Sequence, residues 1–234
     1  MLRLVIFDFD GVIADSEPVH FEMLRQTLAT QGVTLNWNDY KARYLGYEDF
    51  ECIARILKDR QEPASDVRVT ELARQKTRRF AQHLADQCVI MPGVRPLLER
   101  LRQERIGRAI CSGALRREIE AILEHNRLRE FFDEIVAADD VAAGKPDPQG
   151  YRLSLERVNQ RQLYPPAIQP GECLVIEDSM WGIQAARGAG MPCLAVTSSY
   201  PAAELRQADA VTASLEGLSA DYLRTILNGK PDNR

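Results

Sequence analysis

The 234-residue sequence lacks the features of several protein classes. It has five cysteines and no Cys-x-x-Cys pair, which favours neither a disulfide scaffold nor a zinc site. Its apolar runs have strand length, far short of the roughly 20 residues of a membrane span. Lys and Arg total 30 against 34 Asp and Glu, and this net charge of −4 argues against nucleic acid or an anionic membrane as a partner. Asp8 and Asp10 would interrupt the apolar region of a signal peptide, so we expect a cytoplasmic protein.

Short apolar segments alternate with amphipathic segments along most of the chain. The apolar segments show little polar alternation, which is typical of strands buried on both faces of a parallel sheet. Such strands are predicted at Leu2–Phe7, Gly107–Cys111, Glu134–Ala137, Cys173–Ile176, Cys193–Val196 and Ala210–Thr212. Helices are predicted between them, at Leu97–Arg105, Arg116–His125, Pro148–Val158 and Met180–Gly188. The alternation predicts an α/β fold with a doubly wound, Rossmann-like parallel sheet.

The region 16–86 departs from this alternation, because it shows helical periodicity alone. Helices are predicted there at Val19–Gln31, Glu48–Lys58 and Val67–Ala85. We therefore predict two domains: an α/β core made of residues 1–15 and 87–234, and a helical cap made of residues 16–86. The last residues, 229–234, are expected to form a frayed tail.

Two carboxylates, Asp8 and Asp10, stand at the end of the first predicted strand and are followed by Gly11. Buried carboxylates are costly unless a cation or a proton compensates their charge. Gly11 permits a tight turn that directs backbone N–H groups toward an anion. Taken alone, the pattern more often marks a solvated turn or a structural cation site.

Polar residues also follow the next two predicted strands. Ser112 and Gly113 precede a helix, a position that suits phosphate binding and equally suits a plain N-cap. Lys145 precedes Pro146, which places it on a stiff loop. An ammonium fixed in this way suits an anionic group, although a solvated lysine would give the same pattern.

A second acidic pair, Glu177 and Asp178, ends the fourth predicted strand and precedes a helix rich in small residues. An ordinary acidic N-cap would also look like this. However, the carboxyl ends of parallel strands meet at one edge of a sheet, so all four groups are expected together. Two acidic pairs, a hydroxyl and a lysine are the components of Mg²⁺-dependent phosphoryl transfer.

These residues resemble the four motifs of the haloacid dehalogenase superfamily. The strongest resemblance is to the β-phosphoglucomutase-like phosphatases, which carry a helical cap between the first two motifs, where residues 16–86 lie. The matching residues are Phe7-Asp8-Phe9-Asp10-Gly11-Val12, Ser112, Gly144-Lys145-Pro146 and Glu177-Asp178-Ser179, followed by Gly182, Ala185, Ala186, Ala189, Gly190 and Met191.

The resemblance implies roles for the core residues. Asp8 is the expected nucleophile, which forms an aspartyl-phosphate. Asp10 is the expected general acid and base, and its presence favours phosphoester over carbon–halogen cleavage, since a leaving halide needs no proton. Ser112 and Lys145 are expected to hold the transferring phosphoryl group.

The resemblance also implies Mg²⁺ as the cofactor, because this ion prefers oxygen ligands. The expected metal ligands are the Asp8 carboxylate, the Asp10 backbone carbonyl and the Asp178 carboxylate. Glu177 is expected either to be a further ligand or to contact the ligands. The cation would also explain how so many carboxylates share one site.

Substrate contacts are expected from His20 and Lys76, which match residues of the β-phosphoglucomutase cap, and from Gly113 and Arg116 beside the second motif. Where the mutase has an arginine that grips a second phosphate, this sequence has Tyr47. We therefore predict a monomeric, Mg²⁺-dependent phosphatase acting on a small phosphorylated metabolite, such as a sugar phosphate, through an aspartyl-phosphate.

Two alternatives share some of these features. A phosphosugar mutase would need a cation for the second phosphate, which Lys76, Arg43 or Arg116 would have to supply in place of Tyr47. A non-hydrolytic phospho-acceptor module of the receiver type would carry its aspartate after the third strand, where Asp139-Asp140 lies. That module, however, has no place for a helical insert or for the fourth motif.

Overall fold

The computed structural model describes residues 1–45, 47 and 49–229, and the side chains within them except at 81 and 84–87. The strands are β1 (Leu4–Phe7), β2 (Ala14–Asp15), β3 (Val89–Ile90), β4 (Gly107–Cys111), β5 (Glu134–Val136), β6 (Cys173–Glu177), β7 (Cys193–Val196) and β8 (Ala210–Thr212). The helices are α1 (Glu17–Ala29), α2 (Trp37–Arg43), α3 (Asp49–Asp59), α4 (Asp66–Gln87), α5 (Val94–Gln103), α6 (Arg116–His125), α7 (Gln149–Gln160), α8 (Met180–Gly188) and α9 (Ala220–Leu227).

Six strands form one parallel sheet in the order β5-β4-β1-β6-β7-β8. This arrangement confirms the predicted α/β fold with a doubly wound parallel sheet. β1 lies between β4 and β6, and its last residue, Phe7, is aligned with Ile110 and Ile176. The strand order reverses at β1, and open α/β sheets bind ligands at the carboxyl ends of strands beside such a reversal.

Burial explains why these segments form strands. Every residue of β1, β4, β6 and β7 is buried, as expected where helices cover both faces of a sheet. Small side chains on α8, Ala185 and Ala186, are fully buried and allow that helix to pack closely against the sheet. The strand ends are therefore held in a rigid frame.

The chain divides into two compact units, Met1–Asp15 with Val89–Arg234, and Ser16–Cys88. The second unit is helical in its described residues and has its own core, in which Leu28, Ile53 and Ile56 are fully buried. Two helices were not predicted, α2 and α9, because each spans only two turns. Their N-caps are local signals that sequence reasoning passed over: the side chains of Asn36 and Ser219 accept hydrogen bonds from the first turns.

β2 and β3 pair as a two-residue antiparallel ribbon, a feature that the sequence did not predict. No helix among the described residues is both long and apolar enough to span a membrane. Most of the predicted tail, residues 230–234, lies outside the described residues. Glu48, the first residue of the helix predicted at Glu48–Lys58, also lies outside them.

Candidate active site

Asp8 lies at the carboxyl end of β1 and is buried. Its backbone N–H donates to the carbonyl of Ile176 at 2.9 Å, so the sheet's hydrogen bonding continues to this residue. Its carboxylate Oδ1 accepts a hydrogen bond from Nζ of Lys145 at 2.5 Å. The strand therefore fixes the backbone of Asp8, and the lysine fixes its side chain.

Lys145 contacts both acidic motifs, Asp8 after β1 and Glu177 at the end of β6. Its Nζ also donates to Oε1 of Glu177, at 2.5 Å. Burial alone would lower the pKa of Lys145, but the charges of Asp8 and Glu177 raise it well above its ordinary value. The lysine is thus a fixed ammonium at physiological pH.

Glu177 is fully buried, and both of its carboxylate oxygens are occupied. Oε1 accepts from Lys145 and from the hydroxyl of Tyr151 at 2.9 Å. Oε2 accepts from the backbone N–H groups of Asp178 and Ser179 and from the Ser179 hydroxyl, at 2.9–3.0 Å. Although burial opposes it, these donors lower the pKa of Glu177. Glu177 is therefore an anion that organises the site through its own contacts.

Two glycines make room for the acidic pair. A Cβ at Gly182 would overlap the Glu177 carboxylate, so only glycine fits at this position of α8. Gly11 has a φ of +75°, in the region that favours glycine, and a Cβ there would overlap Oδ2 of Asp178. Both positions belong to the motifs that the sequence singled out.

Asp178 is buried, and its Oδ2 accepts hydrogen bonds from the hydroxyls of Ser199 and Ser198. Burial and the neighbouring charge of Glu177 raise the pKa of Asp178 to about 7. Sequence reasoning missed Ser198, Ser199 and Tyr151. The two serines follow β7 and Tyr151 lies on α7, and no local motif links any of them to the acidic pairs.

Asp8, Glu177 and Asp178 form a cluster in which one carboxylate oxygen from each lies within 4.8 Å of the others. Burial raises the pKa of Asp8 well above its ordinary value; Lys145 opposes the shift, while Glu177, Asp178 and Asp10 add to it. One ammonium thus faces several acidic groups, which leaves negative charge for a cation to compensate. Asp8, Glu177 and Asp178 each offer one carboxylate oxygen to this cluster, so the three are candidate metal ligands.

Ser112 follows β4, the strand next to β1, and is buried. Its Oγ accepts a hydrogen bond from the backbone N–H of Ala114 at 3.0 Å. Packing does not require glycine at Gly113, because a Cβ there would meet no atom within 4 Å. Arg116 is engaged within the core: its guanidinium donates to Asp140 at 2.5 Å and to the carbonyl of Ile135 at 2.8 Å.

In the helical unit, the structure brings His20 and Lys76 together. Nζ of Lys76 lies 2.6 Å from Nδ1 of His20 and 2.7 Å from Oδ1 of Asp49. Burial, with the charge of Lys76, lowers the pKa of His20 to about 3. The imidazole is therefore neutral, with Nδ1 accepting from the lysine, and its ring stacks on Phe80 at a centroid distance of 4.0 Å.

These side chains line a cavity of about 380 Å³ in the helical unit, together with Glu17, Tyr40 and Tyr47. The Tyr40 hydroxyl donates to Glu17. Among the described lining residues there is one cation, Lys76, and two carboxylates, Glu17 and Asp49. We call this the cap pocket; it is hydroxyl-rich and carries no excess of positive charge.

The surroundings of Tyr47 bear on the mutase alternative. The Tyr47 ring is 39% exposed and carries the guanidinium of Arg55 at 4.1 Å from its centroid. Arg55 in turn is paired with Glu51 at 2.7 Å. Arg43, one of the cations that could replace the missing arginine, is paired with Asp59 at 2.6 Å.

Comparisons with known proteins agree with this geometry. The family model described as haloacid dehalogenase-like hydrolase matches residues 2–190. The chain is 35% identical over 195 residues to a phosphorylated carbohydrates phosphatase of Thermotoga maritima, covering 81% of this chain and 82% of that protein. It is 33% identical over 201 residues to the fructose-1-phosphate phosphatase YqaB of Escherichia coli, covering 82% and 95%.

A solved structure of CbbY from Rhodobacter sphaeroides in complex with phosphate superposes with a TM-score of 0.75 at 28% identity, covering 93% of this chain and 96% of that one. The fold, the family match and these identities confirm the resemblance drawn from the four motifs. The chain belongs to the haloacid dehalogenase-like hydrolase family, in its β-phosphoglucomutase-like phosphatase subgroup.

Proposed function

We propose that this chain is a Mg²⁺-dependent phosphatase that hydrolyses the phosphate monoester of a small sugar or related polyol. The observation that carries the proposal is the Asp8 carboxylate, fixed at the strand end by Lys145 within the acidic cluster. The names of the relatives support the substrate class, since one acts on phosphorylated carbohydrates and another on fructose 1-phosphate.

The reaction assigned to these residues has two displacements at phosphorus. An oxygen of Asp8 attacks phosphorus and the bond to the ester oxygen breaks, while Asp10 donates its proton to that oxygen. Asp10 then takes a proton from water, which attacks the aspartyl-phosphate and releases inorganic phosphate. Lys145 is proposed to offset the charge on the phosphoryl oxygens, and Ser112, which follows the neighbouring strand, is proposed to donate a hydrogen bond to them.

The chemistry of the donor set fits Mg²⁺. Asp8 and Asp178 would hold the ion, and the Asp10 carbonyl is proposed as a third ligand. When bound, Mg²⁺ would polarise the phosphoryl oxygens and offset the charge of the carboxylates. Glu177 is proposed to keep Lys145 and the Asp178 backbone in place instead of serving as a ligand, because five donors occupy its oxygens.

The cap pocket supports a hydrolase over a mutase. Its one lysine, Lys76, is paired with Asp49, so the pocket holds no unpaired cation for a second phosphate among its described lining residues. Its carboxylates and tyrosine hydroxyls, together with the neutral His20, are suited to hydroxyl groups. We propose that His20 and Lys76 contribute to substrate selection there.

A phosphate-release assay over a panel of phosphoesters tests the proposal. The panel holds hexose and pentose monophosphates, sugar bisphosphates, nucleoside monophosphates and phosphoserine, each with Mg²⁺ and with excess chelator. We expect the highest kcat/KM among sugar monophosphates and loss of turnover in chelator. Asp8→Asn is the control for contaminating phosphatase. Full activity in chelator, or preference for a non-carbohydrate ester, would contradict the proposal.

A second assay separates hydrolysis from isomerisation. The enzyme is given β-glucose 1-phosphate with a catalytic amount of glucose 1,6-bisphosphate, and glucose 6-phosphate and free phosphate are followed together. We expect phosphate release without isomerisation, because Lys76, the one cation among the described lining residues of the cap pocket, is paired with Asp49. Isomerisation that outpaces phosphate release would make the protein a mutase.

A further inference from the structure

A second cavity, of about 580 Å³, lies at the amino ends of the strands. Its lining includes Arg3, which directly precedes β1, and Ile106, which directly precedes β4. The acidic cluster stands at the carboxyl ends of the same sheet, so the two sites share no residue. We call this second cavity the amino-end cavity.

The lining of the amino-end cavity is strongly basic, although the chain as a whole has a net charge of −4. Five arginines line it, against the single carboxylate of Glu104. Several of these charges are offset by carboxylates, so the attraction of the cavity for anions depends on the arginines that the protein pairs least. The arginines are Arg3, Arg102, Arg105, Arg108 and Arg224.

Three of the five arginines are held by the protein. Arg3 donates to the carbonyl of Tyr164 at 2.6 Å and pairs with Glu172. The buried guanidinium of Arg108 donates a hydrogen bond to the carbonyl of Phe131 and pairs with the carboxylate of Asp133. Arg224 pairs with Glu104 at 2.6 Å. These three give the cavity wall its shape, and the carboxylates of Glu172, Asp133 and Glu104 offset their charges.

The other two arginines are exposed to a ligand. Arg102 is 57% exposed; it forms a long ion pair with Glu130, at 3.9 Å, and its guanidinium lies 5.6 Å from the centroid of the Phe131 ring. Arg105 is exposed and forms no ion pair or side-chain hydrogen bond with the part of the chain that the structure describes. Guanidinium groups bind phosphate oxygens through two parallel hydrogen bonds, so this pair suits a phosphate or a diphosphate.

An apolar wall completes the cavity. Leu163 is 53% exposed, Pro165 lies beside it, and the Tyr164 ring is fixed by a hydrogen bond from its hydroxyl to Asp133 at 2.8 Å. We propose that the amino-end cavity is a second ligand site, which binds a diphosphate group through Arg102 and Arg105. The diphosphate is either free or part of a nucleotide whose base contacts Leu163 and Pro165.

The backbone offers a precise way to remove one arginine. Arg105 follows α5 with a φ of +56°, in the region that favours glycine, so Arg105→Gly deletes the cation and relieves the backbone. Arg127 follows α6 with a φ of +54° but does not line the cavity. Both helix ends carry the same capping bond, from Ile106 N–H to the Leu101 carbonyl and from Leu128 N–H to the Leu123 carbonyl. Arg127→Gly is therefore a matched control.

Calorimetric titration of the full chain with imidodiphosphate tests the site. We expect wild type and Arg127→Gly to bind equally, and Arg105→Gly and Arg102→Gln each to weaken the affinity about tenfold. The thermal midpoints of both glycine variants should equal or exceed that of wild type. Absence of binding, or equal affinity in wild type, Arg105→Gly and Arg102→Gln, overturns the proposal, because binding at the active site alone would leave the affinity unchanged in these variants.

The source of the diphosphate is decided by a second ligand, adenosine 5′-(α,β-methylene)diphosphate. Tighter binding than imidodiphosphate, with the gain lost in Leu163→Ser, supports the site and identifies a nucleotide. Equal binding of the two ligands, still weakened by Arg105→Gly, supports the site and identifies a free diphosphate. If Arg105→Gly weakens neither ligand, the proposal fails for both sources.

Discussion

The two compact units each hold one lysine against acidic side chains, and they hold it in different ways. In the sheet unit, Nζ of Lys145 lies 2.5 Å from carboxylate oxygens of both Asp8 and Glu177. These partners stand at the ends of β1 and β6, neighbouring strands whose register is set by backbone hydrogen bonds. The lysine therefore sits in a cluster with more negative charge than it can neutralise.

In the helical unit, the ammonium of Lys76 faces one carboxylate, Asp49, and the neutral ring of His20. Its partners come from α1 and α3 and are held by helix packing. Lys76 is thus paired with one carboxylate, and the cap pocket holds a second, Glu17. The comparison shows that Lys145 lies between two carboxylates beside a possible metal site, whereas Lys76 lies beside tyrosine hydroxyls and a neutral imidazole.

The largest effect is expected from Asp8→Asn. An amide has nearly the same shape as the carboxylate but cannot attack phosphorus, so kcat should fall at least about 1,000-fold, which corresponds to ~4 kcal/mol of barrier. Steady-state phosphate release measures it, with circular dichroism as the control for folding. Retention of a tenth of the wild-type kcat would rule out Asp8 as the nucleophile.

The two lysines provide the direct contrast. Lys145→Met should lower kcat/KM for p-nitrophenyl phosphate about 100-fold or more, and should lower the free energy of unfolding by about 3 kcal/mol because two buried carboxylates lose their partner. Lys76→Met should leave kcat for this simple ester within about threefold and raise KM for the preferred sugar phosphate about tenfold. Urea unfolding and steady-state kinetics measure both. Equal losses of kcat/KM for p-nitrophenyl phosphate in Lys145→Met and Lys76→Met would contradict the separate roles of the two lysines.

The next largest effect is expected from a purely steric change in the sheet unit. Gly182→Ala forces the Glu177 carboxylate out of its place, and we expect a loss of about 3 kcal/mol in unfolding free energy. Gly188→Ala, at the other end of α8, is the matched control; its Cβ would meet only Pro148, at 3.3 Å, and we expect a change within about 1 kcal/mol. The same urea midpoints for both variants would mean that Glu177 can move without cost.

The smallest effect concerns the helical unit and pH. The pKa of His20 is lowered from 6.5 to about 3 in the folded chain, so the unfolded chain takes up the proton first as pH falls. The contribution of the neutral imidazole to the free energy of unfolding is present above pH 6.5 and is lost progressively as the pH falls toward 3. Between pH 7.5 and 5 we expect wild type to lose about 1 kcal/mol more than His20→Asn, since the half-buried ring is partly screened. Identical pH profiles would contradict the lowered pKa.

The sheet and its site residues were largely predictable because their signals are local. The predicted bounds of β4, β7, α6 and α8 match those in the structure, since each is set by an unbroken apolar run or by helical spacing with clear ends. The acidic pairs were found because each stands directly after a strand. Because β1 and β6 pair in parallel, Asp8 and the acidic pair Glu177-Asp178 must be neighbours.

What the sequence could not supply is contact between distant residues that have no shared motif. Tyr151 reaches Glu177 from α7, 26 positions away, and Ser199 reaches Asp178 from the loop after β7. His20 and Lys76 are 56 positions apart, and Asp49 joins them from a third helix. The packing of elements far apart in the sequence decides such contacts, and periodicity shows which face of an element is buried without showing which partner it meets. The catalytic and metal-binding roles of the core residues stay predictions.

The central claim is that Asp8 carries the phosphoryl group during turnover. We would quench the enzyme with acid while it hydrolyses its best substrate, digest it and analyse the peptides by mass spectrometry, with Asp8→Asn in parallel. The account predicts one phosphoryl group on the peptide that contains Asp8, absent from the variant and from enzyme quenched without substrate. A phosphoryl group on another residue, or none at any quench time during full turnover, would contradict it.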